Sequence, residues 1–276
     1  MPNNISTLKQ RYPQLDDFVA KSIVIKYGGN AMTDNTLKNH FAQDVVSLKQ
    51  MGLNPIIIHG GGPQISQMLQ RVGKDSQFID GMRVTDSETM EIVSMVLGAT
   101  VNQEIVRLIQ NNGAKAVGLT GFDGKLIQAK KLTSVDLGHV GEVENVNNEL
   151  INLLINQQYI PIIAPMGTDD NGVVYNINAD LVAGAIAASL QAAKLIMLTN
   201  TAGILDKDNN LISSLDADLV FQLIEDGTIN SGMLPKINTA LDAVAAGVNA
   251  VNIIDGREKH AILRSFSDNN NGSVIV

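Results

Sequence analysis

The segment Ser22–Asn30 reads SIVIKYGGN, and the segment Asn54–Pro63 reads NPIIIHGGGP. Each begins with apolar, mostly β-branched residues and ends in glycines, a pattern typical of a buried strand followed by a tight turn. In the second segment, Pro63 suits the first turn of a helix, because its ring fixes φ at a helical value and its missing N–H needs no partner there. The segments therefore predict two strand–turn–helix units.

The same alternation continues along the chain. Further buried strands are predicted at Ala114–Leu119, Tyr159–Ala164, Ala193–Thr199 and Asn249–Ile254. Helical periodicity covers Leu37–Met51, Pro63–Val72, Glu88–Asn111, Asn148–Gln157, Ala179–Ala192, Ala217–Glu225 and Leu234–Ala246. Two segments interrupt this alternation and predict strands with hairpins or turns, namely Lys125–Val146 and Thr168–Asn178. The whole pattern predicts an α/β fold with a mainly parallel sheet covered by helices on both faces.

One helix start carries its own signal. Thr85 is followed three residues later by Glu88, the spacing of a capping box, in which the two side chains each satisfy a backbone N–H of the first helical turn. We therefore predict that Thr85 caps the long helix that follows.

Composition limits the partners and the compartment. The formal net charge of −8 argues against nucleic acid and anionic membranes, since both require a basic face. No cysteine is present, which excludes disulfides, thiolate metal sites and cysteine nucleophiles. The first thirteen residues lack the apolar core of a secretory signal. The most apolar stretch, Leu181–Thr199, is interrupted by Gln191 and Lys194, so we expect no membrane span there and a cytoplasmic protein.

The two glycine-rich turns are candidates for binding an anion. Gly28 and Gly29 follow the first strand, and Gly60, Gly61 and Gly62 follow the second. Glycine lets backbone N–H groups approach a phosphate or carboxylate closely, and a helix that begins beside it adds a favourable dipole. Neither turn has the Walker A pattern or the dinucleotide-binding G-x-G-x-x-G pattern. Two ordinary tight turns are the alternative interpretation.

Five polar side chains elsewhere are also candidates. Arg83 lies in an irregular segment and could clamp a carboxylate, although a single arginine is more often a surface residue. Asn178 and Asp180 suit the cap and the first turn of a helix, which leaves Asn176 without a structural task. Lys236 lies close to a helix N-terminus, where a cation is disfavoured unless an anion is also present.

Metal-binding patterns are absent from the sequence. The four histidines, at His40, His59, His139 and His260, are scattered and have no metal-ligand spacing, and His59 ends a buried strand, which favours a structural role. The acidic segment that begins at Asp206 lacks the glycine and the distal glutamate of an EF-hand loop. We therefore predict no protein metal site.

Taken together, the motifs resemble those of acetylglutamate kinases, members of the amino acid kinase family, from about Pro13 to Val276. The matching strings are IKYGGNAM (Ile25–Met32), IIHGGGPQI (Ile57–Ile65), GMRVT (Gly81–Thr85), DLGHVGEV (Asp136–Val143), NINAD (Asn176–Asp180) and GMLPKI (Gly232–Ile237). The resemblance implies a three-layer α/β/α sandwich with an open, mainly parallel sheet of about eight strands. It also implies ATP-dependent phosphorylation of the side-chain carboxylate of N-acetyl-L-glutamate, the second step of arginine biosynthesis.

The resemblance further implies roles for individual residues. Lys26 and Lys236 would flank the transferring phosphoryl group, and Asp180 would orient both lysines. Gly61 and Gly62 would donate backbone hydrogen bonds. Substrate binding would involve three further residues, Arg83, Asn176 and Asn178. Nucleotide binding would involve Gly28, Gly29, Asn200, Thr201, Gly203, Leu205 and the segment Thr228–Asn230 with Ile229.

The implied chemistry fits these residue types. The attacking carboxylate is already ionised at neutral pH, so no general base is required. Two lysines, backbone N–H groups and Mg²⁺ would offset the repulsion between two anionic reactants, with Mg²⁺ held mainly by ATP phosphates. The chain departs from the resemblance at Asn200, where an aspartate is usual; asparagine keeps the shape of the side chain but removes one charge from the expected nucleotide pocket.

The resemblance also divides the chain and suggests an oligomer. We expect an N-terminal extension over 1–21, a substrate lobe over 22–175 and an ATP lobe over 176–276. Apolar residues at helical spacing, Leu8, Tyr12, Leu15 and Val19, predict an amphipathic helix that Pro13 would kink. Such an extension links dimers into hexamers in arginine-sensitive relatives, so a homo-oligomer, either a dimer or a hexamer of dimers, is expected.

Inhibition by arginine is expected to be weak or absent. Gln14 replaces a tyrosine that lies beside bound arginine in sensitive relatives, and the segment Leu263–Asp268 lacks the glutamate expected before its phenylalanine. Arg264 also adds a like charge, which disfavours a cationic ligand. Two alternatives to the main function are open: an acetylaminoadipate kinase, and a non-catalytic amino acid sensor on the same fold.

Overall fold

The structure is a computed structural model that describes residues 5–229, 232–267 and 271–276. Asn230 and Asp268, which entered the predictions above, lie outside the described residues. Ten α-helices are described, α1 to α10: Ile5–Arg11, Asn35–Gln50, Gly62–Arg71, Ser87–Met95, Asn102–Asn111, Glu149–Asn156, Ala179–Ser189, Ala217–Glu225, Leu234–Ala245 and Ala261–Arg264. Fourteen strands are described, β1 to β14: Ser22–Tyr27, Asn54–His59, Phe78–Ile79, Met82–Arg83, Ala116–Thr120, Ile127–Lys131, Val140–Val146, Ile160–Ala164, Met166–Thr168, Val174–Ile177, Lys194–Thr199, Ser214–Leu215, Val251–Asp255 and Gly272–Ile275.

Eight strands form one sheet in the order β12-β14-β13-β11-β1-β2-β8-β5. Only the β13–β14 pair is antiparallel, and every other neighbouring pair in this sheet is parallel. β1 and β2 are neighbours in the interior of the sheet, paired from Ser22 with Asn54 to Tyr27 with His59. The predicted mainly parallel α/β sheet is therefore confirmed, and the glycine-rich turns that follow β1 and β2 emerge side by side.

Helices cover both faces of this sheet because side chains alternate along its buried strands. On β1, Ile23 and Ile25 pack into an apolar core with α2, α4 and α5. Val24, between them, faces the opposite core with α6, α7 and α9. Lys26 has the same strand parity as Val24, so its side chain emerges on the face that α7 covers.

The interrupting segments form a separate small unit. Strands β6, β7, β9 and β10 close into a four-stranded barrel, in which β6 and β7 pair antiparallel. β9 and β10 are joined through the turn at Asp169–Gly172 and also pair antiparallel. The predicted strands and hairpins are present, and β10 carries Asn176 toward the carboxyl edge of the central sheet.

The predicted capping box at Thr85 and Glu88 is wrong. Asp86 is the N-cap of α4, and its side chain accepts a hydrogen bond from the Thr89 N–H at 2.8 Å. The Thr85 hydroxyl instead donates to the Arg83 carbonyl, and Glu88 pairs with Lys74. Aspartate is a better N-cap residue than threonine, and Asp86 has the extended backbone of an N-cap directly before the first helical residue.

A continuous helical stretch runs from Ser87 to Asn111 and includes a π-helical segment at Val96–Val101. By length and composition alone this stretch is sufficient to cross a bilayer, and half of its most apolar window is buried inside the protein. It packs against α2 and β5, as a core helix does.

The N-terminal segment is broken rather than continuous. α1 ends at Arg11, Tyr12 has a non-helical backbone, and a 3₁₀-helix begins at Pro13. Leu8, Tyr12 and Leu15 are buried, as their spacing suggests, but Val19 is 46% exposed. The 3₁₀ turn changes the angle between successive side chains, so the α-helical period no longer places Val19 on the buried face.

Candidate active site

The candidate site lies at the carboxyl ends of β1 and β2, where parallel strands deliver their following turns to one edge of the sheet. Lys26 is the penultimate residue of β1, and Gly60, Gly61 and Gly62 follow β2 directly. α3 begins at Gly62, with Pro63 in its first turn. The sequence therefore places a cation beside a glycine-rich helix start.

Asp180 joins the two predicted lysines. Its carboxylate, in the first turn of α7, is only 5% exposed. The Nζ of Lys26 lies 3.0 Å from one carboxylate oxygen, and the Nζ of Lys236 donates to the other at 2.7 Å. Burial alone would raise the pKa of Asp180, but the two lysines outweigh it and hold that pKa below its ordinary value. Asp180 therefore stays ionised and fixes both ammonium groups.

This arrangement explains the cation near the start of α9. Lys236 lies in the first turn of that helix, where the dipole disfavours a positive charge. The required anion is Asp180, which lies 56 residues earlier in the chain. Asn178 is the N-cap of α7, accepting from the Asp180 N–H at 2.8 Å, so the capping interpretation of Asn178 is confirmed.

All five predicted substrate-binding residues line one cleft of about 350 Å³, here called the main cleft. The five are Gly61, Gly62, Arg83, Asn176 and Asn178. Its other walls are largely apolar and include Ile65, Leu97, Val140 and Leu181. A small ligand with several polar groups and a short apolar chain would match this lining.

Arg83 is not the surface residue that a lone arginine usually is. It is 6% exposed and lies over the ring of Phe78, with 4.6 Å between the guanidinium carbon and the ring centroid. Its guanidinium donates to the hydroxyls of Ser76 and Ser66 and to the carbonyl of Gly62, at 2.6, 2.9 and 3.0 Å. A rigidly held guanidinium at the wall of a cleft is suited to binding a carboxylate.

Three of the quoted motifs meet beside Asn176. The Thr85 N–H donates to the Leu137 carbonyl, and the His139 N–H donates to the Thr85 carbonyl. The Asn176 N–H in turn donates to the His139 carbonyl at 2.9 Å, and its side-chain amide lies 3.4 Å from the Thr85 hydroxyl. Tertiary hydrogen bonds thus hold Asn176 at the main cleft.

The sequence profile described as "Amino acid kinase family" matches residues 21–255. The chain belongs to the amino acid kinase family. Among its relatives, the acetylglutamate kinase of Hydrogenovibrio crunogenus is 55% identical over 287 aligned residues, covering 99% of this chain and 96% of the relative. The acetylglutamate kinase of Ruthia magnifica is 56% identical, and the alignment covers 99% of this chain and 96% of that relative. The resemblance stated from the motifs is confirmed.

Solved structures with this fold include a synthase and a carbamate kinase. N-acetylglutamate synthase from Neisseria gonorrhoeae, complexed with coenzyme A and N-acetyl-glutamate, aligns with a TM-score of 0.86 at 22% identity, covering 99% of this chain and 64% of the synthase. Carbamate kinase from Giardia lamblia, bound to AMP-PNP, aligns with a TM-score of 0.69 at 16% identity, covering 93% of this chain and 98% of that kinase. At these sequence identities the alignments show only that the fold is shared.

Gly28 and Gly29 follow β1 directly, and Asn200 follows β11, so these nucleotide candidates lie at the carboxyl ends of two adjacent parallel strands. Gly28 packs beside the Lys26 side chain, where an added Cβ would lie 2.7 Å from Nζ. The amide oxygen of Asn200 accepts from the Asn30 N–H at 2.9 Å and lies beside Gly29. A neutral amide therefore serves as the acceptor at this turn.

The remaining nucleotide candidates differ in exposure. Thr201 is exposed, and Leu205 is half-buried and bridges to Leu211. Gly203 lies against Ser273, whose hydroxyl accepts from the Ile204 N–H. Ile229 is buried in the core on the α7 face of the sheet.

Several residues that shape the site were missed by sequence reasoning. Ser66 and Ser76 hold Arg83, and Phe78 lies under its guanidinium. Asn102 is buried beneath the glycine-rich turn and contacts His59. Serine and asparagine are common in helices and loops, so nothing local in the sequence sets these residues apart.

Proposed function

We propose that the chain transfers the γ-phosphoryl group of ATP to the side-chain carboxylate of N-acetyl-L-glutamate, forming N-acetyl-L-glutamyl 5-phosphate in arginine biosynthesis. The observation that carries the proposal is the pair Lys26 and Lys236, both fixed by Asp180, next to a cleft that contains Arg83 and Asn176. Identity above 50% to acetylglutamate kinases over almost the whole chain supports the same substrate.

Different residues would have different roles in phosphoryl transfer. The backbone N–H groups of Gly61 and Gly62 have no acceptor in the described part of the chain, so they are available to an anionic ligand. Lys26 and Lys236 would lie on either side of the moving phosphoryl group, where their charges offset the repulsion between carboxylate and phosphate. No proton must be removed from the attacking carboxylate, so the lack of a catalytic histidine is consistent with this chemistry.

Substrate selection would depend on the wall of the main cleft. Arg83 would bind the α-carboxylate of acetylglutamate, and Asn176 would contact its amide group. The apolar residues Leu97, Val140 and Leu181 would enclose the methylene chain and the acetyl methyl group. Free glutamate carries an ammonium group in place of the amide. Burying that charge beside the apolar residues of the cleft would cost free energy, so free glutamate should bind more weakly.

Mg²⁺ is expected with ATP and would neutralise charge on the phosphates. The nearest buried carboxylate, Asp180, is engaged by two lysines and is therefore poorly suited as a direct metal ligand. Among the described residues, no group of three or more His, Asp or Glu side chains could hold a metal ion. We propose that the ion is bound through ATP oxygens and water.

The direct test is a turnover assay that follows ADP formation with and without N-acetylglutamate and Mg²⁺. We expect ADP only when both are present, and a much lower kcat/KM with free glutamate. Equal kcat/KM for glutamate and N-acetylglutamate would overturn the assignment. A parallel assay with N-acetyl-2-aminoadipate tests the longer substrate, because one methylene changes discrimination by only about 1–3 kcal/mol.

We also propose that the protein is a homo-oligomer, a dimer or a hexamer of dimers, that works in the cytoplasm. Only 17% of its residues are charged, and Met95 and Val173 are exposed on one shallow surface. The broken N-terminal helix leaves Ile5 and Val19 exposed for a further contact. Light scattering should give a mass of at least two chains, and a monomer at micromolar concentration would contradict this.

Weak inhibition by arginine is part of the same proposal. A cleft between α1 and α10 is lined by the cations Arg11, Lys259 and Arg264, of which Arg264 pairs with Glu258, and no carboxylate is among the described residues that line it. A cationic ligand would be repelled there. Initial rates across an arginine titration test this, and half-inhibition at sub-millimolar arginine would refute it.

A further inference from the structure

His59 ends β2 and immediately precedes the glycine-rich turn of the main cleft. Its side chain is fully buried. The ring Nδ1 lies 2.8 Å from the carbonyl oxygen of Gly60. Because a carbonyl oxygen can only accept, Nδ1 must carry the proton and donate it.

The other ring nitrogen contacts Asn102. Nε2 of His59 lies 3.2 Å from the side-chain nitrogen of Asn102, and that nitrogen also donates to the carbonyls of Ile162 and Leu119, at 2.9 and 3.2 Å. These carbonyls require an amide N–H₂ at this position, and its two hydrogens are shared among three acceptors, of which Nε2 of His59 is one. The ring is therefore the neutral tautomer with its proton on Nδ1. Burial also lowers the pKa of His59 to about 4, which keeps the ring neutral near pH 7.

This bond sets the direction of a backbone donor. A trans peptide is planar, with its C=O and N–H pointing in opposite directions. The Gly60 carbonyl faces His59, so the N–H of Gly61 in the same peptide points away from His59. The Gly61 carbonyl accepts from the Ile65 N–H at 2.9 Å, which orients the Gly62 N–H in the same manner. The anion-binding donors thus depend on fixed carbonyls behind them.

The surrounding packing is built for Asn102. A Cβ added at Gly118 would overlap the amide oxygen of Asn102, so glycine leaves the room that this side chain occupies. Asn102 directly follows the π-helical segment, whose Leu97 and Val101 pack against Gly61. One helix therefore contacts the glycine-rich turn from its outer side and His59 from beneath.

We propose that His59 and Asn102 are positioning residues that hold the Gly60–Gly61 peptide so that the Gly61 N–H is ready to bind the transferring phosphoryl group. Neither residue is among those that line the main cleft. The inference rests on the proposed function, because it assigns the Gly61 N–H to the transition state of that reaction.

Two substitutions of His59 separate its contacts. In His59→Asn, the amide nitrogen occupies roughly the place of Nδ1 and can still donate to Gly60, while the contact with Asn102 is lost. In His59→Gln, the amide reaches toward Asn102, but no donor is left beside Gly60. Ile56→Val, a buried apolar change in the same strand, controls for loss of packing in β2.

We expect His59→Gln to lower kcat by about 10- to 100-fold, with KM for ATP and N-acetylglutamate changed by less than about threefold, because a misdirected donor affects mainly the transition state. The kcat of His59→Asn should be about tenfold higher than that of His59→Gln. If His59 had only a structural role, kcat would fall in both variants in proportion to their loss of thermal stability. That result would overturn the proposal.

Asn102→Ser is a second variant in case His59→Gln does not fold. Serine removes the direct partner of Nε2 and leaves the ring free to turn away from the Gly60 carbonyl, so kcat should fall with unchanged KM. Wild-type kcat in Asn102→Ser would also refute the proposal. If the wild-type chain fails to phosphorylate N-acetylglutamate, the proposed function is wrong. If the wild-type chain is active and the variants have the same kcat as wild type, only the proposed role of His59 and Asn102 is wrong.

Discussion

Replacing Asp180 with asparagine removes one charge while keeping the side-chain shape. The carboxylate lies 3.0 Å from the Nζ of Lys26 and 2.7 Å from the Nζ of Lys236. With an effective dielectric constant of about 20, each contact corresponds to about 6 kcal/mol of Coulomb attraction before desolvation is subtracted. Breaking a buried ion pair by removing one partner typically costs about 3–5 kcal/mol. We expect Asp180→Asn to lower the free energy of unfolding by a similar amount.

The same change should affect catalysis and anion binding in opposite directions. Without Asp180, Lys26 and Lys236 repel each other and no longer converge on the phosphoryl group, so kcat should fall by about 10²–10³-fold. Two uncompensated lysines should also bind an inorganic anion more tightly in the absence of substrate. Phosphate should therefore recover more unfolding free energy in Asp180→Asn than in wild type.

Urea denaturation with and without phosphate, at matched ionic strength, measures this difference. Asp44→Asn is the control, because Asp44 is another buried carboxylate but pairs with His260, away from the main cleft. It should lose stability without specific recovery by phosphate. If Asp180→Asn kept both the unfolding free energy and the kcat of wild type, Asp180 would not organise the lysines.

Three further predictions concern other parts of the site. Arg83→Ala should raise KM for N-acetylglutamate by about 10- to 100-fold with a smaller change in kcat, since a charged hydrogen bond contributes about 1.5–3 kcal/mol in ground and transition states alike. Steady-state kinetics measure both constants, and a lower kcat with unchanged KM would mean that Arg83 acts only in catalysis. A Cβ at Gly61 would collide with Leu97, whereas one at Gly62 meets nothing within 4 Å, so Gly61→Ala should lower the melting temperature and Gly62→Ala should only raise KM. Because burial lowers the pKa of His59 to about 4, the unfolded chain binds a proton on acidification that the folded chain does not. Stability should fall by about 2 kcal/mol between pH 7 and 5 in urea titrations, and His59→Asn should lack this component.

The central strands could be predicted from the sequence alone. β1 and β2 have the predicted bounds, Ser22–Tyr27 and Asn54–His59, because a strand buried on both faces is a continuous apolar run ended by glycine. The start of α9 at Leu234 was also predicted. These features depend on residues within a few positions of one another, which a single sequence displays directly.

Elements that depend on distant partners were not predictable in the same way. β14 and the short β12 at the edge of the sheet were missed, since they are stabilised by pairing with each other and with β13. The π-helical segment at Val96–Val101 was taken as ordinary helix. Asp86, rather than Thr85, proved to be the cap of α4.

For the site, the sequence determined which residue types were available, and the motifs indicated their family. Only the tertiary structure decided how they act together. Asp180 meets Lys236 from 56 positions away, and Arg83 is held by Ser66 and Ser76 from two other segments. His59 contacts Asn102 across 43 positions. Such contacts depend on how helices pack against the sheet, a property of the whole chain, whereas strand and turn formation depends on neighbours along the backbone.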